Sequence, residues 1–567
     1  MTKQQSSFLD NFNKIPNDVK SLLMNLSNFN LKNFFSQNRA VFAFLAFLVF
    51  AVYLNSLPNE FVSDDIPAIL NNENLDNLAI IFSSPLRALR SFQPSLYFLI
   101  NHFLGKSPAA FRFANICFHL LTTVTIYLII YFLHNRTLAI FTASVMAVHP
   151  VITESVAWIS GGGHTMYSFF LILSLFLYTL STKKENYLYL SMIAFLLALI
   201  ISEKAIIFPL ILLAYSISYK MKPKNWKKLA ILALPTLIIG LIFLAQAPGR
   251  LKWLQTSHYQ EGGFIDPFLQ IPIAITSYLE LIFWPKNLTL YHSEMSFSQG
   301  EYLLRLIVFI VFLGIIAYSF KRNRPVFFWL SFFIISLLPT LTPFGISWIV
   351  AERYVYLGSL GIFVVIALLI QKIGQVFKNK NISYALFAII LITLSIRTII
   401  RNADWKNQDT LWLATAKTSP SSPQNHNNLG DLYGRQGDFE KSIYHFKKAI
   451  ELNPRYADAY HNLANTYAQI DNIDLAIENY QKAVEFGPHL WQSHQNLAGI
   501  YFEQEKYDLA EKEMKKAIKI NPQNANLYTN LGIVYLKLND NEKAKQAFQQ
   551  ALQLNPQDIR ARQLLTP

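Results

Sequence analysis

The first apolar run of the chain ends directly in a pair of acidic residues, "AVFAFLAFLVFAVYLNSLPNEFVSDDIPAI" at residues 40–69. The apolar part, 40–57, is close to the ~20 residues that a helix needs to cross a bilayer. Asp64 and Asp65 therefore lie within a few residues of a predicted membrane boundary. A charge at such a boundary is costly unless water or a function stabilises it. The pair is thus either a solvated loop or part of a site, and this stretch alone does not decide between them.

The rest of the chain keeps this apolar character and then loses it. Of its 567 residues, 52% are hydrophobic, 14% aromatic and only 15% charged, which is too apolar for an ordinary soluble protein. Apolar runs separated by short polar loops fill residues 40–402, whereas 403–567 are polar with periodic hydrophobic positions. We predict an all-α protein with a cytoplasmic segment at 1–39, a polytopic helical membrane domain at 40–402 and a soluble domain at 403–567.

The net charge of +14 has two possible explanations. A basic protein can bind nucleic acid, but many of these cations lie in short loops between apolar runs, as the positive-inside rule requires. We therefore expect no nucleic-acid partner. The single cysteine, Cys117, excludes an intrachain disulfide. The first apolar run lacks a small-residue cleavage site, which favours a retained signal anchor.

The basic loops predict the topology. The two strongest, 220–228 and 321–324, should both face the cytoplasm, so an even number of crossings must separate them. The runs 228–247 and 301–320 supply two, and we therefore expect 269–285 to lie at, or dip into, the outer face. The N-terminus is then cytoplasmic, and the loop 58–109 and everything after 401 are extracytoplasmic. About eleven crossings result: 40–57, 110–133, 137–157, 164–181, 187–202, 205–219, 228–247, 301–320, 326–341, 353–371 and 382–400.

The soluble part consists of repeats of 34 residues each. Prolines recur at this interval from Pro420 to Pro556, and leucines recur from Leu429 to Leu531. The period and pattern are those of tetratricopeptide repeats, in which a proline ends the second helix of each unit. About four such repeats predict a helical solenoid with a concave groove.

The groove suggests a binding partner. It could bind a protein or peptide segment, or the repeats could serve as a spacer or a self-association device. One asparagine precedes the repeat leucine in every unit, and such amides can hydrogen-bond an extended peptide backbone. The candidate peptide-binding residues are Asn428, Asn462, Asn496 and Asn530.

Ionisable residues at membrane depth are functional candidates by default. In the predicted topology most of them lie near the outer face. We find no zinc-binding motif and no phosphate-binding loop, so neither a metal site nor a nucleotide-driven pump is expected. Beside the acidic pair, the candidates are Arg90, His149, Glu154, His164, Glu203, Lys204, Glu352 and Arg353.

Several candidates also have a purely structural explanation. Asn115 and His119 share one helix face, and an interhelical hydrogen bond is the favoured interpretation. Glu203 and Lys204 could simply pair with each other. Tyr354, beside Arg353, is expected to be an interfacial anchor, as Tyr356 is.

The stretch "HPVITESVAWISGGGHT" at 149–165 combines a proline, a glycine run and three polar groups between two apolar spans. It predicts a re-entrant elbow that lines a cavity, because broken backbone at that depth needs partners. An ordinary tight outer loop is the alternative.

Taken together, five pieces and the repeats resemble the transmembrane and tetratricopeptide-repeat-containing protein O-mannosyltransferases and their prokaryotic relatives. The pieces follow in order over nearly the whole chain after residue 50: "NEFVSDDIPAI", "FRFANICFHLLTT", "AVHPVITESVAWISGGGHT", "SEKAIIFPLILL", "VAERYVYLGSLG" and the repeats themselves. The resemblance implies a C-type glycosyltransferase fold, a polyprenyl-phosphate sugar donor and an active site on the extracytoplasmic face. The membrane is that of a bacterial or archaeal cell, or the endoplasmic reticulum.

The resemblance also implies an acidic catalytic residue in the first outer loop, which is Asp64 or Asp65 here. A Ser/Thr hydroxyl needs a base to become a good nucleophile, and we favour Asp64, with the second acid orienting the acceptor. Two adjacent acids repel each other, so the pKa of one can rise. Cations would stabilise the leaving phosphate, with Arg353 as the first choice. In-line displacement would invert the anomeric configuration, and no cofactor is expected.

Three functions remain open from the sequence. The first is transfer of a hexose, mannose by resemblance, to Ser/Thr of extracytoplasmic proteins. The second is the same fold acting on a lipid or glycan acceptor, with the repeats as a scaffold. The third is a non-catalytic assembly protein or transporter, although we find no paired repeats in the membrane region of the kind that transporters show.

Overall fold

A computed structural model describes residues 31–84, 91–182, 184–219, scattered positions from 227 to 241, 267–293, 297–341 and 350–565. The chain forms two compact units, Met1–Ala414 and Thr415–Pro567. The described residues of both units are helical and contain no β-strand. The predicted all-α class is therefore confirmed for this part of the chain.

The first unit is a bundle of helices around one apolar core. Its largest fully buried side chains are aromatic residues such as Trp329 and Tyr278, together with the two arginines Arg112 and Arg401. Its helices are α1 (Leu31–Tyr53), α2 (Phe92–Leu104), α3 (Pro108–Leu133), α4 (Arg136–Val148), α5 (Thr153–Ala157), α6 (Gly163–Leu180), α7 (Asn186–Ile201), α8 (Phe208–Ser218), α9 (Pro267–Phe283), α10 (Gln299–Arg322), α11 (Arg324–Leu337), α12 (Ser359–Val376) and α13 (Lys380–Asp404).

Six described helices are long and apolar enough to cross a membrane, or seven if the bent pair at 136–157 is one span. Three shorter apolar helices accompany them, at Asn186–Ile201, Leu269–Phe283 and Arg324–Thr340. The chain is thus a multi-pass helical protein, while the number eleven stays a prediction. Most of the predicted span 228–247 and of the predicted cytoplasmic segment 1–39 lies outside the described residues.

The predicted elbow is a series of short helices. α4 and the helical segment Pro150–Ala157 meet at an angle of 53° at His149, because Pro150 cannot donate the backbone hydrogen bond that would continue α4. After α5, a 3₁₀ turn at Ser160–Gly162 leads into α6. A Cβ on Gly162 would lie only 1.9 Å from the Asn115 side chain, so this turn can approach α3 only with glycine.

The loop that carries the acidic pair has an unusual backbone. Ser63 adopts a left-handed conformation with φ 53°, and a π-helical turn at Ile66–Leu70 follows Asp65 directly. A left-handed conformation is uncommon for residues other than glycine, a π-helical turn is rare in general, and both concentrate at functional sites. A 3₁₀ turn at Glu73–Asp76 and α2 complete this connection to α3.

The second unit contains the predicted repeats. In each repeat a residue with positive φ joins the two helices, and these residues recur every 34 positions at Gly437, Asp471, Glu505 and Asn539. Buried alanines and aromatic residues fill the space between the helices. The helices are Pro423–Arg435, Phe439–Leu452, Ala457–Gln469, Ile473–Phe486, Trp491–Glu503, Tyr507–Ile520, Ala525–Lys537, Asn541–Leu554 and a final Ile559–Leu565, and Gln408–Thr418 precedes them.

Candidate active site

The two acids of the opening stretch have different surroundings. Asp65 is fully buried, and the backbone N–H and the hydroxyl of Ser160 both donate to its Oδ1, at 2.8 and 2.6 Å. The Val62 N–H donates to its Oδ2 at 3.3 Å. Asp64 is exposed, and its carboxylate makes no hydrogen bond among the described residues. Asp65 therefore fastens the loop to the elbow, whereas Asp64 faces outward beside it.

Burial raises the pKa of the Asp65 carboxyl to about 6, because a charge is poorly solvated inside the protein. The hydrogen bonds from Ser160 and Val62 and the positive charge of Arg112 oppose this shift. Asp65 is therefore ionised at neutral pH and titrates at mildly acidic pH.

A buried arginine fixes the same loop. Arg112, near the start of α3, is fully buried and donates only to backbone carbonyls. Its Nε donates to Ala157 at 2.6 Å, and its two terminal nitrogens donate to Asn59 at 2.7 Å, Glu60 at 3.0 Å and Leu57 at 3.3 Å. One guanidinium thus joins the loop before Asp64 to the end of α5.

A second charged group lies on the other side of the elbow. The Arg353 guanidinium pairs with the Glu154 carboxylate, and the Arg353 backbone N–H donates to the same carboxylate at 2.7 Å. Glu154 is fully buried in α5. The guanidinium also lies 5.5 Å from the ring of Trp158, and the Trp158 indole N–H donates to the Val62 carbonyl at 3.3 Å. Trp158 therefore contacts both the acidic loop and Arg353.

Tyr354 brings three candidates together. The Lys204 ammonium lies 4.0 Å over its ring, the Arg353 guanidinium lies 4.9 Å from its ring, and the His164 ring centroid is 6.0 Å away. Among the described residues, the Lys204 ammonium has no hydrogen bond or ion pair. We name Arg353 and Lys204 the cation cluster, and His164 lies beside it on the Tyr354 ring.

Burial and the nearby Arg353 charge lower the pKa of Lys204 to about 7, against the opposing influence of Glu203 and Glu154. Arg353 and Lys204 thus lie close together, with Glu154 and Glu203 as the nearby carboxylates, and neighbouring cations of this kind can bind an anion.

The remaining candidates are placed differently. The His149 ring donates from Nε2 to the Ile282 carbonyl at 2.9 Å and accepts from the Val151 N–H at 3.1 Å, so both of its nitrogens are used within the fold. Glu352 is buried and pairs with Arg401 at 3.1 Å. Glu203 lies in the turn before α8, and Arg90 lies outside the described residues.

The polar pair on α3 makes structural hydrogen bonds, of which the contact of His119 Nε2 with the Ala147 carbonyl of α4 at 3.3 Å is interhelical as predicted. The Asn115 amide donates to the carbonyls of Trp158 and Ile159, both at 3.1 Å, and His119 Nδ1 lies 2.7 Å from the Tyr356 hydroxyl. Tyr356 is fully buried, so its expected role as an interfacial anchor is wrong.

Sequence reasoning missed several residues that shape this region. Arg112 had a usable signal, because an arginine inside an apolar helix needs a reason to be there. Tyr354 was expected at the membrane interface but is the centre of the cation cluster. Ser160 and Trp158 carry no sequence signal, since only the three-dimensional fold brings them to the acidic loop.

In the solenoid, two of the four groove asparagines bond to neighbouring repeats. The Asn462 amide donates to Asn427, and the Asn496 amide donates to Asn465, both at 3.0 Å. Their amide oxygens have no partner among the described residues. Asn428 and Asn530 occupy the equivalent position in the first and fourth repeats.

These features define a multi-pass helical protein with an acidic loop, a cation cluster and a tetratricopeptide solenoid. Comparison with known proteins agrees with this class. Residues 94–247 match the dolichyl-phosphate-mannose-protein mannosyltransferase family. Residues 430–471, 457–490 and 501–566 match tetratricopeptide repeat families.

The resemblance stated from the sequence is therefore confirmed. The chain is 25% identical over 467 residues to the human protein O-mannosyl-transferase TMTC3, which covers 72% of this chain and 51% of the relative. It is 26% identical to the Caenorhabditis elegans protein O-mannosyl-transferase F38B6.6, over 71% of this chain and 61% of the relative. The chain thus spans about half the length of the curated relatives it matches. Among solved structures, the MamA protein aligns with a TM-score of 0.24 at 24% identity, over 26% of this chain and 80% of that one.

Proposed function

We propose that the protein is a membrane glycosyltransferase of about eleven crossings that moves a hexose, mannose by its relatives, from a polyprenyl-phosphate donor to Ser/Thr of extracytoplasmic proteins. One observation carries the proposal: the loop of the exposed Asp64 and Arg353 of the cation cluster are both fastened to the same elbow, the loop at Ala157 and Ser160 and Arg353 at Glu154. The proposed reaction needs a base at the acceptor hydroxyl and cations at the donor phosphate, and in this proposal Asp64 and the cation cluster supply them.

In the proposed reaction, Asp64 accepts the proton of the acceptor hydroxyl. The hydroxyl oxygen forms a bond to the anomeric carbon as the bond from that carbon to the phosphate oxygen breaks. The electron pair of the broken bond leaves with the polyprenyl phosphate, and the anomeric configuration inverts. Asp65 is a positioning residue, since all its contacts are within the protein.

The cation cluster would hold the donor phosphate. Arg353 offers a guanidinium that Glu154 orients, and Lys204 offers an ammonium that lies over the Tyr354 ring and has no hydrogen bond or ion pair among the described residues. Charge-assisted hydrogen bonds from such groups stabilise the negative charge that develops on the leaving group. His149 has no phosphate contact in this proposal, because both its ring nitrogens already bond within the fold. Glu352 has none either, because its carboxylate pairs with Arg401 and would repel a phosphate.

The first experiment replaces Asp64 in the full-length protein. Asp64→Asn, reconstituted with a polyprenyl-phosphate hexose and a Ser/Thr-containing protein acceptor, is expected to lose about 10²- to 10⁴-fold in kcat, the usual contribution of a general base. Glu60→Gln is the matched control, because Glu60 is an exposed carboxylate of the same loop. Wild-type protein that yields no product with any hexose donor overturns the proposal, and an active Asp64→Asn variant overturns the assignment of the base.

A second experiment tests the phosphate site. Arg353→Lys is expected to raise the donor KM about tenfold or more, because a phosphate bond to a charged group is worth about 1.5–3 kcal/mol. Arg305→Lys serves as the control, since Arg305 donates only to α9 side chains. An unchanged donor KM for Arg353→Lys would exclude it as a phosphate ligand. Sugar found in the lipid extract instead of on protein would favour a lipid or glycan acceptor.

We also propose that the solenoid binds the protein acceptor through its asparagines. Asn530→Ala is expected to raise the KM for a protein acceptor while leaving the donor KM unchanged. Asn541→Ala is the control, because Asn541 is an exposed asparagine in the second helix of the same repeat. Equal KM values for the two variants would favour a spacer role for the repeats.

A further inference from the structure

Helix α2, in the connection between the first two membrane-crossing candidates, has its polar and apolar faces reversed. Its buried face carries Tyr97, whose hydroxyl donates to the Ile159 carbonyl at 2.8 Å, and Asn101, which bonds to Asp76. The opposite face carries Leu99 and Phe103, which are 49% and 75% exposed. A helix surrounded by water turns its apolar side chains inward, so water is an unsuitable environment for this face.

The length of α2 excludes a crossing. Its 13 residues would span about 20 Å at ~1.5 Å per residue, against a hydrocarbon thickness of ~30 Å. It joins α3 through Gly105, whose positive φ of 67° ends the helix. The last residue before this turn, Leu104, is 64% exposed. The same connection exposes Leu78 and Phe82, which are 41% and 53% exposed.

The apolar face of α2 continues the surface that the long helices present to lipid. α2 packs against α3 and α7. These two helices expose Phe113 and Leu196 at 47% and 38%, as expected for helices whose outer side contacts acyl chains. This continuity favours the bilayer, and not a soluble partner, as the occupant of the α2 face.

We propose that α2 is an interfacial helix whose face Leu99–Phe103–Leu104 is embedded in the lipid surface. Helices of this kind rest at the boundary between head groups and acyl chains with their apolar side down. Because Tyr97 bonds to Ile159, next to the Ser160 that holds Asp65, the depth of α2 in the membrane sets the height of the acidic loop above it.

The test uses site-directed spin labels on the full-length protein in phosphatidylcholine vesicles. Cys117 is the single cysteine, so a Cys117→Ser background permits one label at a time. A nitroxide at Phe103→Cys is compared with one at Asn74→Cys, an exposed polar position of the same connection, and with one at Leu313→Cys within α10. The measurement is the accessibility of each label to oxygen and to a water-soluble nickel chelate.

The Phe103 label is expected to have an oxygen-to-nickel accessibility ratio several-fold above that of the Asn74 label and closer to that of the Leu313 label. A Phe103 label as accessible to nickel as the Asn74 label overturns the proposal. An immobilised Phe103 label that neither reagent reaches also overturns it, because protein and not lipid would then cover the face. Leu99→Cys repeats the measurement if the Phe103 variant does not fold. The accessibility measurement needs no glycosyl transfer, so its outcome does not depend on the proposed activity.

Discussion

Arg112→Lys should reduce activity strongly although Arg112 lies outside the proposed set of reacting groups. The substitution keeps the buried positive charge and removes the planar arrangement of donors. In the wild-type protein the guanidinium donates four hydrogen bonds to carbonyls, one in the elbow and three in the loop before Asp64. A single ammonium cannot reach carbonyls on both sides in this geometry.

The magnitude follows from the bonds that lysine loses. If the lysine ammonium replaces two of the four hydrogen bonds of the guanidinium, the other two hydrogen bonds from a charged donor to buried carbonyls are lost. At about 1.5 kcal/mol for each of them, the lower end for bonds to charged groups, the fastened loop loses about 3 kcal/mol relative to a detached one. Since 1.36 kcal/mol corresponds to a factor of ten, activity is expected to fall by up to about 100-fold.

Two measurements separate this mechanism from general unfolding. Hydrogen exchange of residues 57–66 should accelerate in the variant, while exchange in the buried part of α12 stays unchanged. Transfer of the hexose should decrease with the donor KM unaltered, since the cation cluster is not touched. Arg305→Lys again serves as the control for replacing an arginine with a lysine. Wild-type activity and wild-type exchange in Arg112→Lys would refute the idea that this guanidinium holds the loop.

Three further predictions follow from single contacts. Ser160→Ala removes a hydroxyl that lowers the pKa of Asp65, so the pKa should rise further above about 6, and the acidic limb of the pH–kcat profile should move to higher pH. Gly162→Ala should abolish folding or activity because its Cβ would overlap a side chain of α3, whereas Gly314→Ala, with open space around it, should be neutral in thermal unfolding. Glu505→Gly should stabilise the solenoid by about 0.5–1 kcal/mol in denaturant unfolding, because Glu505 holds a φ of 62° that glycine adopts without strain.

The repeats were predictable because several residues in each unit independently indicate the same pair of helices. A proline, a leucine and a tyrosine at 34-residue intervals each fix a helix boundary or a contact, and the solenoid places the turn residue, such as Asp471, at that same interval. The membrane helices were predictable because each is a long apolar run bounded by polar loops. The exact number of membrane helices was not predictable, because runs such as 205–219 are close to the lower length limit for a span.

The candidate site was predictable only in its charged members. Asp64, Lys204 and Arg353 are noticeable because a charge next to an apolar run is costly. Several of the residues that hold them are neutral, such as Ser160, or aromatic, such as Tyr354, and these types occur throughout the chain without functional meaning. Their roles depend on contacts between segments far apart in sequence, which neither hydropathy nor periodicity encodes.

The relative placement of the proposed base, Asp64, and the proposed phosphate ligand, Arg353, depends on a very short piece of chain. Asp65 bonds to Ser160 and Arg112 bonds to Ala157, and both contacts place the loop of Asp64. On the other side, Glu154 places Arg353. All three attachment points fall within the seven residues 154–160, so neither group needs support from a flexible connection. The proline and glycines around this segment, which look like ordinary helix breakers, thus allow one compact turn to carry the contacts that place both proposed groups.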